Sequence, residues 1–191
     1  MTKAELRKRY LRERKSISLS TIADASKKIA DRLFSTIDLR NAENLHTFIR
    51  IARLNEIDTS AIYFRLWRDL PRLGIYAPRS DMATGEMASV KFTPATEIIE
   101  SDLGIREPAG PAVDNDAIFD IVLVPLIVCD ASGQRVGYGK GFYDRFLAKC
   151  RKDCLKIGLG IFEPVDAVTD ANDNDIRLDM YIMPDAVLDL R

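Results

Sequence analysis

The sequence predicts a three-layer α/β/α fold, with a mostly parallel central sheet and helices on both faces. Three observations carry that expectation. The apolar runs at 121–129 (IVLVPLIVC) and 155–161 (LKIGLGI) are too continuous for strands with one wet face, so they read as strands covered on both sides. Segments with helical spacing alternate with such strands along the chain. A hydrophobic fraction of 47% over 191 residues supplies the core of one domain spanning 1–191.

The elements follow in order. Residues 2–15 form a strongly charged helix whose thin apolar stripe, Leu6, Tyr10 and Leu11, places it on a surface. Ser18 caps a second helix that runs to about residue 37 with Ile22, Ile29, Leu33 and Phe34 inward. A strand is expected at 44–51, then a helix at 59–70 with Ile62, Leu66 and Leu70 spaced four apart. Pro78 ends a short strand at 74–77, and another strand lies at 88–92 before a long connection over 100–116. The buried strand at 121–129 leads to a helix at 140–150, the strand at 155–161 and a last strand at 181–183 before Pro184.

Composition narrows the function. A formal net charge of -1 hides a basic first helix, with Lys3, Arg7, Lys8, Arg9, Arg12, Arg14 and Lys15 against Glu5 and Glu13, and an Asp-rich final third. A nucleic-acid-binding module would carry a clear basic excess, so that reading is disfavoured. No apolar run approaches the roughly 18 residues of a membrane span. The charged amino terminus lacks a secretion signal, so a cytoplasmic location is expected, with no membrane or nucleic-acid partner. Cys129, Cys150 and Cys154 form no CxxC pair and have no histidine cluster beside them, which favours reduced structural thiols over zinc. His46, the single histidine, lies in NLHTFIRI and reads as a core or strand-edge residue. Serine–histidine and histidine–metal chemistry therefore have almost no material.

The residues that carry chemistry are GQRVGYGKGFYDR, 133–145, between the buried strand and a helix. Glycines let the backbone turn inward and aim N–H groups at an anion, and the helix start adds partial positive charge. A nucleoside triphosphate is expected there. The loop is not a Walker A motif, because Gly139-Lys140 is followed by Gly141; nor is it GxGxxG, because its glycines fall as GxGxG. A tight turn is the plainer alternative, but it leaves Arg135 and Lys140 unexplained. Asp144 admits two readings. It complements the helix dipole, worth about 0.3–1 kcal/mol, or it ligates the Mg2+ that accompanies a triphosphate.

GQRVGYGKGFYDR strongly resembles the signature of the 5-formyltetrahydrofolate cyclo-ligase (5,10-methenyltetrahydrofolate synthetase) family. KAELRKRYLRERKSIS at the start, NEIDT at 55–59, YAPR at 76–79, GIREP at 104–108 and the late NDIRLDMYI fall in the family's order, so the likeness covers nearly the whole chain. It implies an enzyme, monomeric or weakly dimeric, that uses ATP and Mg2+ to close 5-formyltetrahydrofolate to 5,10-methenyltetrahydrofolate by phosphorylating the formyl oxygen. By position, Lys3 and Arg7 would hold ATP phosphates. The loop Arg135, Val136, Gly137, Tyr138, Gly139, Lys140, Gly141, Phe142 and Tyr143 would bind ATP, with Arg135 and Lys140 acting in catalysis. Ile51, Glu56, Tyr138, Gly139, Lys140, Gly141 and Phe142 would meet the folate, with the Glu56 carboxylate on the pterin N–H donors. Asp144 and Asp175 would serve Mg2+. The chain departs from the family at Phe142, where many relatives have Tyr, at Leu103, where some have an aromatic residue, and in IRIARLN before Glu56. These departures touch substrate fit, and a paralogue acting on another formyl or acyl substrate is the alternative they allow.

Overall fold

The computed structural model describes residues 1–101 and 104–191; Leu103 lies outside them. Helix α1 (Lys3–Ser16) opens on a reciprocal cap: Thr2 accepts from the Glu5 N–H while the Glu5 carboxylate takes the Thr2 N–H. Helix α2 (Leu19–Thr36) starts at Ser18, whose hydroxyl caps Thr21 N at 3.1 Å, and it buries Ile22, Ile29 and Leu33. Strand β1 (Asn44–His46) is followed by α3 (Ser60–Asp69) and by the antiparallel pair β2 (Gly74–Ser80) and β3 (Met87–Lys91). A small hairpin, β4 (Ile98–Glu100) and β5 (Arg106–Pro108), leads to β6 (Ile121–Pro125). A second hairpin, β7 (Val128–Cys129) and β8 (Arg135–Val136), precedes α4 (Phe142–Lys149), β9 (Leu155–Leu159), β10 (Met180–Ile182) and β11 (Val187–Asp189).

The main sheet has the order β11-β10-β9-β6-β1-β2-β3. The five inner strands are parallel, and β3 and β11 close the edges antiparallel. Alternate residues of β6 face opposite layers. Ile121 and Leu123 pack with α2 and α3, while Val122 and Val124 pack with Phe146 and Leu147 of α4. This is the three-layer α/β arrangement the sequence predicts. The order reverses between β1 and β6: β1 leads through α3 to β2, and β6 leads through α4 to β9 on the other side. The loops leaving these two strands therefore splay apart and open a crevice at their carboxyl ends.

Local expectations differ from the structure at several places: the connection expected over 100–116 carries β5 of a hairpin, and β11 follows the strand expected to be last. The apolar run at 121–129 is two strands, because the chain leaves the sheet after Pro125 and Ile127 N–H already bonds Val136 O, at 2.8 Å, in the second hairpin. The strand expected over 44–51 stops at His46, and 52–54 form a 3₁₀ turn. The strand expected to end at Pro78 runs through it to Ser80. Phe92 N–H donates to Ile75 O, so by antiparallel alternation the missing N–H of Pro78 faces the side that β1 has vacated. Helix α4 begins at Phe142, not at Lys140, because Gly141 takes the left-handed conformation with φ +70°.

Candidate active site

The crevice holds a cavity of about 680 Å³. Of the predicted site residues, all but one line it: Lys3 and Arg7 from α1, Ile51 and Glu56 from the loop after β1, Arg135, the loop from Gly137 to Gly141, Phe142, Tyr143 and Asp144 at the start of α4, and Asp175. Val136 is the exception. It is fully buried with Leu6, Val128 and Val168 in the small core that seats α1.

One side of the cleft carries the glycine loop and its neighbouring cations. Gly139, at φ +88°, turns the loop in a region that side chains rarely occupy, and a Cβ there would lie 3.1 Å from the Arg7 guanidinium carbon. Arg7 Nε donates to Gly137 O at 2.8 Å and so fastens the loop to α1. The α4 N-cap, Gly141, supplies no side-chain acceptor, which leaves the first-turn N–H groups for a bound anion. Arg145 donates to Gly85 O and, at 2.9 Å, to Lys140 O, tying the loop to the β2–β3 turn. Lys140 itself is exposed, and among the described residues its ammonium has no partner.

Two further cations of the cleft are already engaged. Lys3 Nζ pairs with Asp175 Oδ2, and Arg135 Nη2 donates to Asp144 Oδ1 at 2.6 Å. Burial pulls the Arg135 guanidinium below its usual range, against the opposing pull of Asp144 and Asp175. Burial pushes Asp175 up, but Lys3 and the Asn172 N–H outweigh it and leave its carboxyl below the ordinary carboxylate range. No three His, Cys, Asp or Glu side chains gather into a metal cage among the described residues. The two aspartates nonetheless fit a Mg2+ that arrives with phosphate. Each has one oxygen, Asp144 Oδ2 and Asp175 Oδ1, with no described hydrogen-bond partner, and such an ion takes only one or two carboxylates.

Away from the loop the cavity is lined by Phe48, Ile49, Ile51, Met82, Met87 and Ile105, with Glu56 and the charged Arg53, Arg106 and Glu107 also in its wall. Glu56 is only 3% exposed. Its Oε2 takes the Ile51 N–H at 2.5 Å and its Oε1 takes the Tyr138 hydroxyl proton. Burial raises the Glu56 carboxyl, and the donors Tyr138 and Ile51, with Arg14 and Arg53, pull it back. Tyr143 also lines the cavity; its hydroxyl is buried without a partner among the described residues, and burial lifts its pKa.

Sequence reasoning missed Arg14, which is 4% exposed and reaches Tyr138. It also missed Asn55, which holds the end of α1 through the carbonyls of Arg14 and Ile17, both at 3.1 Å. The signal for Arg14 was in the spacing: residues 3, 7 and 14 fall on one helical face. His46 sits where expected, in the core, between Phe119 and Phe146, with its pKa lowered to about 3 by burial.

A doubly wound α/β sheet whose switch-point crevice joins a cationic glycine loop to a chamber with a buried carboxylate defines a class: α/β proteins with a ligand cleft at the carboxyl ends of their strands. A family model described as the 5-formyltetrahydrofolate cyclo-ligase family matches residues 1–184. The chain belongs to that family. It is 34% identical over 95 residues to Escherichia coli K12 5-formyltetrahydrofolate cyclo-ligase, a match covering 48% of this chain and 51% of the other, so the aligned part spans about half the length of that curated relative. The NMR structure of Aquifex aeolicus 5,10-methenyltetrahydrofolate synthetase matches with a TM-score of 0.80 at 27% identity, over 100% of this chain and 94% of that one. A 5,10-methenyltetrahydrofolate synthetase from Mycoplasma pneumoniae shares the fold, with a TM-score of 0.76 at 22% identity over 97% of this chain and 100% of that one.

Proposed function

We propose that this chain closes 5-formyltetrahydrofolate to 5,10-methenyltetrahydrofolate while converting ATP to ADP and phosphate, as one cytoplasmic domain whose site needs a single copy. The observation that carries the reading is that one cavity is shared by the Gly137–Gly141 cradle and by the buried Glu56.

The chemistry follows from the substrate. A formamide oxygen is a poor leaving group, so the γ-phosphoryl group of ATP transfers to it. The folate N10 then attacks the activated formyl carbon and gives up its proton, and the oxygen departs as phosphate. This route asks for positioning and charge neutralisation and needs no protein nucleophile. Two groups that could otherwise serve as nucleophiles are out of reach: His46 is enclosed by aromatic rings, and Cys129 is buried with its thiol pKa pushed up by burial.

Lys3, Arg7, Arg135 and Lys140 receive the phosphates, together with the loop N–H groups. Phosphate oxygens draw Lys3 and Arg135 away from Asp175 and Asp144, and Lys140 and Arg135 stabilise charge on the transferring group. Asp144 and Asp175 would hold Mg2+, which neutralises phosphate charge when bound. Glu56 accepts from the ring N–H donors, and Ile51, Tyr138 and Phe142 enclose the ring.

The test is absorbance of the methenyl product when the protein is mixed with Mg-ATP and 5-formyltetrahydrofolate. Product that requires both substrates is expected. ATP hydrolysis without methenyl product would overturn the reading and shift it to another formyl or acyl acceptor.

A further inference from the structure

Arg14 is a buried cation outside the cavity wall. Its Nη1 donates to Leu126 O at 3.1 Å, the residue immediately after β6, and its Nη2 donates to the Tyr138 hydroxyl at 2.6 Å. The guanidinium carbon stands 5.6 Å from the centre of the Tyr138 ring. From the same turn of α1, the Arg14 carbonyl accepts from Asn55 Nδ2 at 3.1 Å, next to Glu56. The last turn of α1 thus bridges the two loops that flank the switch point, one after β1 and one after β6. Asn55 holds this junction in the left-handed conformation, φ +50°, which Asn tolerates better than most residues.

The bonding has a direction. A guanidinium only donates, and a phenol has one proton. Because Tyr138 Oη accepts from Arg14, its proton goes to Glu56 Oε1. Burial and Glu56 lift the Tyr138 phenol well above its ordinary range, which keeps that proton in place. Glu56 has a donor on each oxygen and still retains lone-pair capacity on both.

We infer that Arg14 is a positioning residue: through Tyr138 it holds Glu56 as an oriented carboxylate for the N–H donors of the substrate ring. The inference rests on the proposed reading that Glu56 meets that ring. It separates the two ends of the cleft. Loss of Arg14 weakens the organic substrate and largely spares the nucleotide, although Arg14 shares a helix face with Lys3 and Arg7.

The groups facing Glu56 are Tyr138 from the loop, Ile51 N–H and Arg53 from its own segment, Arg14 from α1, and Tyr143 from α4. Burial raises the Glu56 carboxyl and Arg14 opposes that rise. Without Arg14 the group carries a proton to higher pH, so substrate binding improves as pH climbs.

The experiment measures KM for 5-formyltetrahydrofolate and for ATP from pH 6 to 8 in the full chain, in Arg14→Met, in Arg14→Lys, in Tyr138→Phe and in the Arg14→Met/Tyr138→Phe double variant. Arg14→Met is expected to raise the folate KM about tenfold, the usual size of a lost charge-assisted hydrogen bond, with the ATP KM within about twofold. Its folate KM should fall with pH more steeply than that of the parent, and Arg14→Lys should restore the parent slope. The double variant should be no worse than the poorer single one. Equal changes in both KM values, or additive losses, would overturn the inference. If Arg14→Met does not fold, as judged by circular dichroism, Tyr138→Phe decides alone: it must raise the folate KM selectively, or the inference fails. An inactive parent overturns the proposed function and this inference together; an active parent with an unmoved folate KM overturns only this one.

Discussion

Lys140 differs from the other loop-side cations in having nothing to give up. Lys3 and Arg135 begin in ion pairs with Asp175 and Asp144, whereas the Lys140 ammonium is exposed and partnerless among the described residues. Lys140→Ala therefore breaks no contact that holds the fold. It should leave the melting temperature unchanged and lower kcat by about 10²–10³, the range for losing one donor to a developing oxyanion. A full-rate variant would remove Lys140 from the chemistry. His46 makes the opposite case, a titratable group with a structural task. Its folded pKa lies at about 3 against an ordinary 6.5, so between those values the unfolded chain binds a proton that the folded chain does not. Stability must then fall as pH drops through that window, by roughly 1.4 kcal/mol per pH unit for this one group. Urea unfolding of the parent and of His46→Leu at pH 7.5, 6 and 5 checks the sign. The parent should lose stability relative to the variant as the solution is acidified.

At the scale of elements, the glycine loop makes a prediction with its own control. Gly139 has φ +88° and Arg7 close to where a Cβ would stand, while a Cβ on Gly137 would meet nothing within 4 Å. Gly139→Ala should cost about 1 kcal/mol or more, and Gly137→Ala should be nearly neutral in thermal unfolding. Equal melting temperatures would show that the loop's turn does not depend on Gly139. These elements also show what the sequence could reveal. Helix α1 and the α2 cap were legible because capping residues and periodic Leu or Ile act locally. The break after Pro125 was not, because β6 and β7 are both buried and the apolar pattern runs through the turn that joins them. The edge pieces β4 and β11 escaped notice because they are three residues long and half exposed, so hydrophobic alternation has nothing to mark. The loop was readable as a candidate anion site from its glycine spacing and its two cations, whereas Lys3 and Arg7 entered only through the family resemblance. The Arg14–Tyr138–Glu56 relay was not, since its members stand 124 and 82 residues apart and only the tertiary fold brings them together.

At the scale of the molecule, the sheet order decides where the cavity opens. The reversal between β1 and β6 places one loop with a buried carboxylate opposite another with glycines and cations, and α1 closes both from the side. Two ligands can then meet across a short gap without any side chain forming a covalent bond to either. In the proposed reaction ATP phosphorylates the formyl oxygen within this crevice. Its most direct test supplies the chain with Mg-ATP and 5-formyltetrahydrofolate carrying ¹⁸O in the formyl group, and follows both the methenyl product and the mass of the released phosphate. The expected result is methenyl product with one ¹⁸O in each phosphate formed. Unlabelled phosphate, or labelled water in its place, would contradict it.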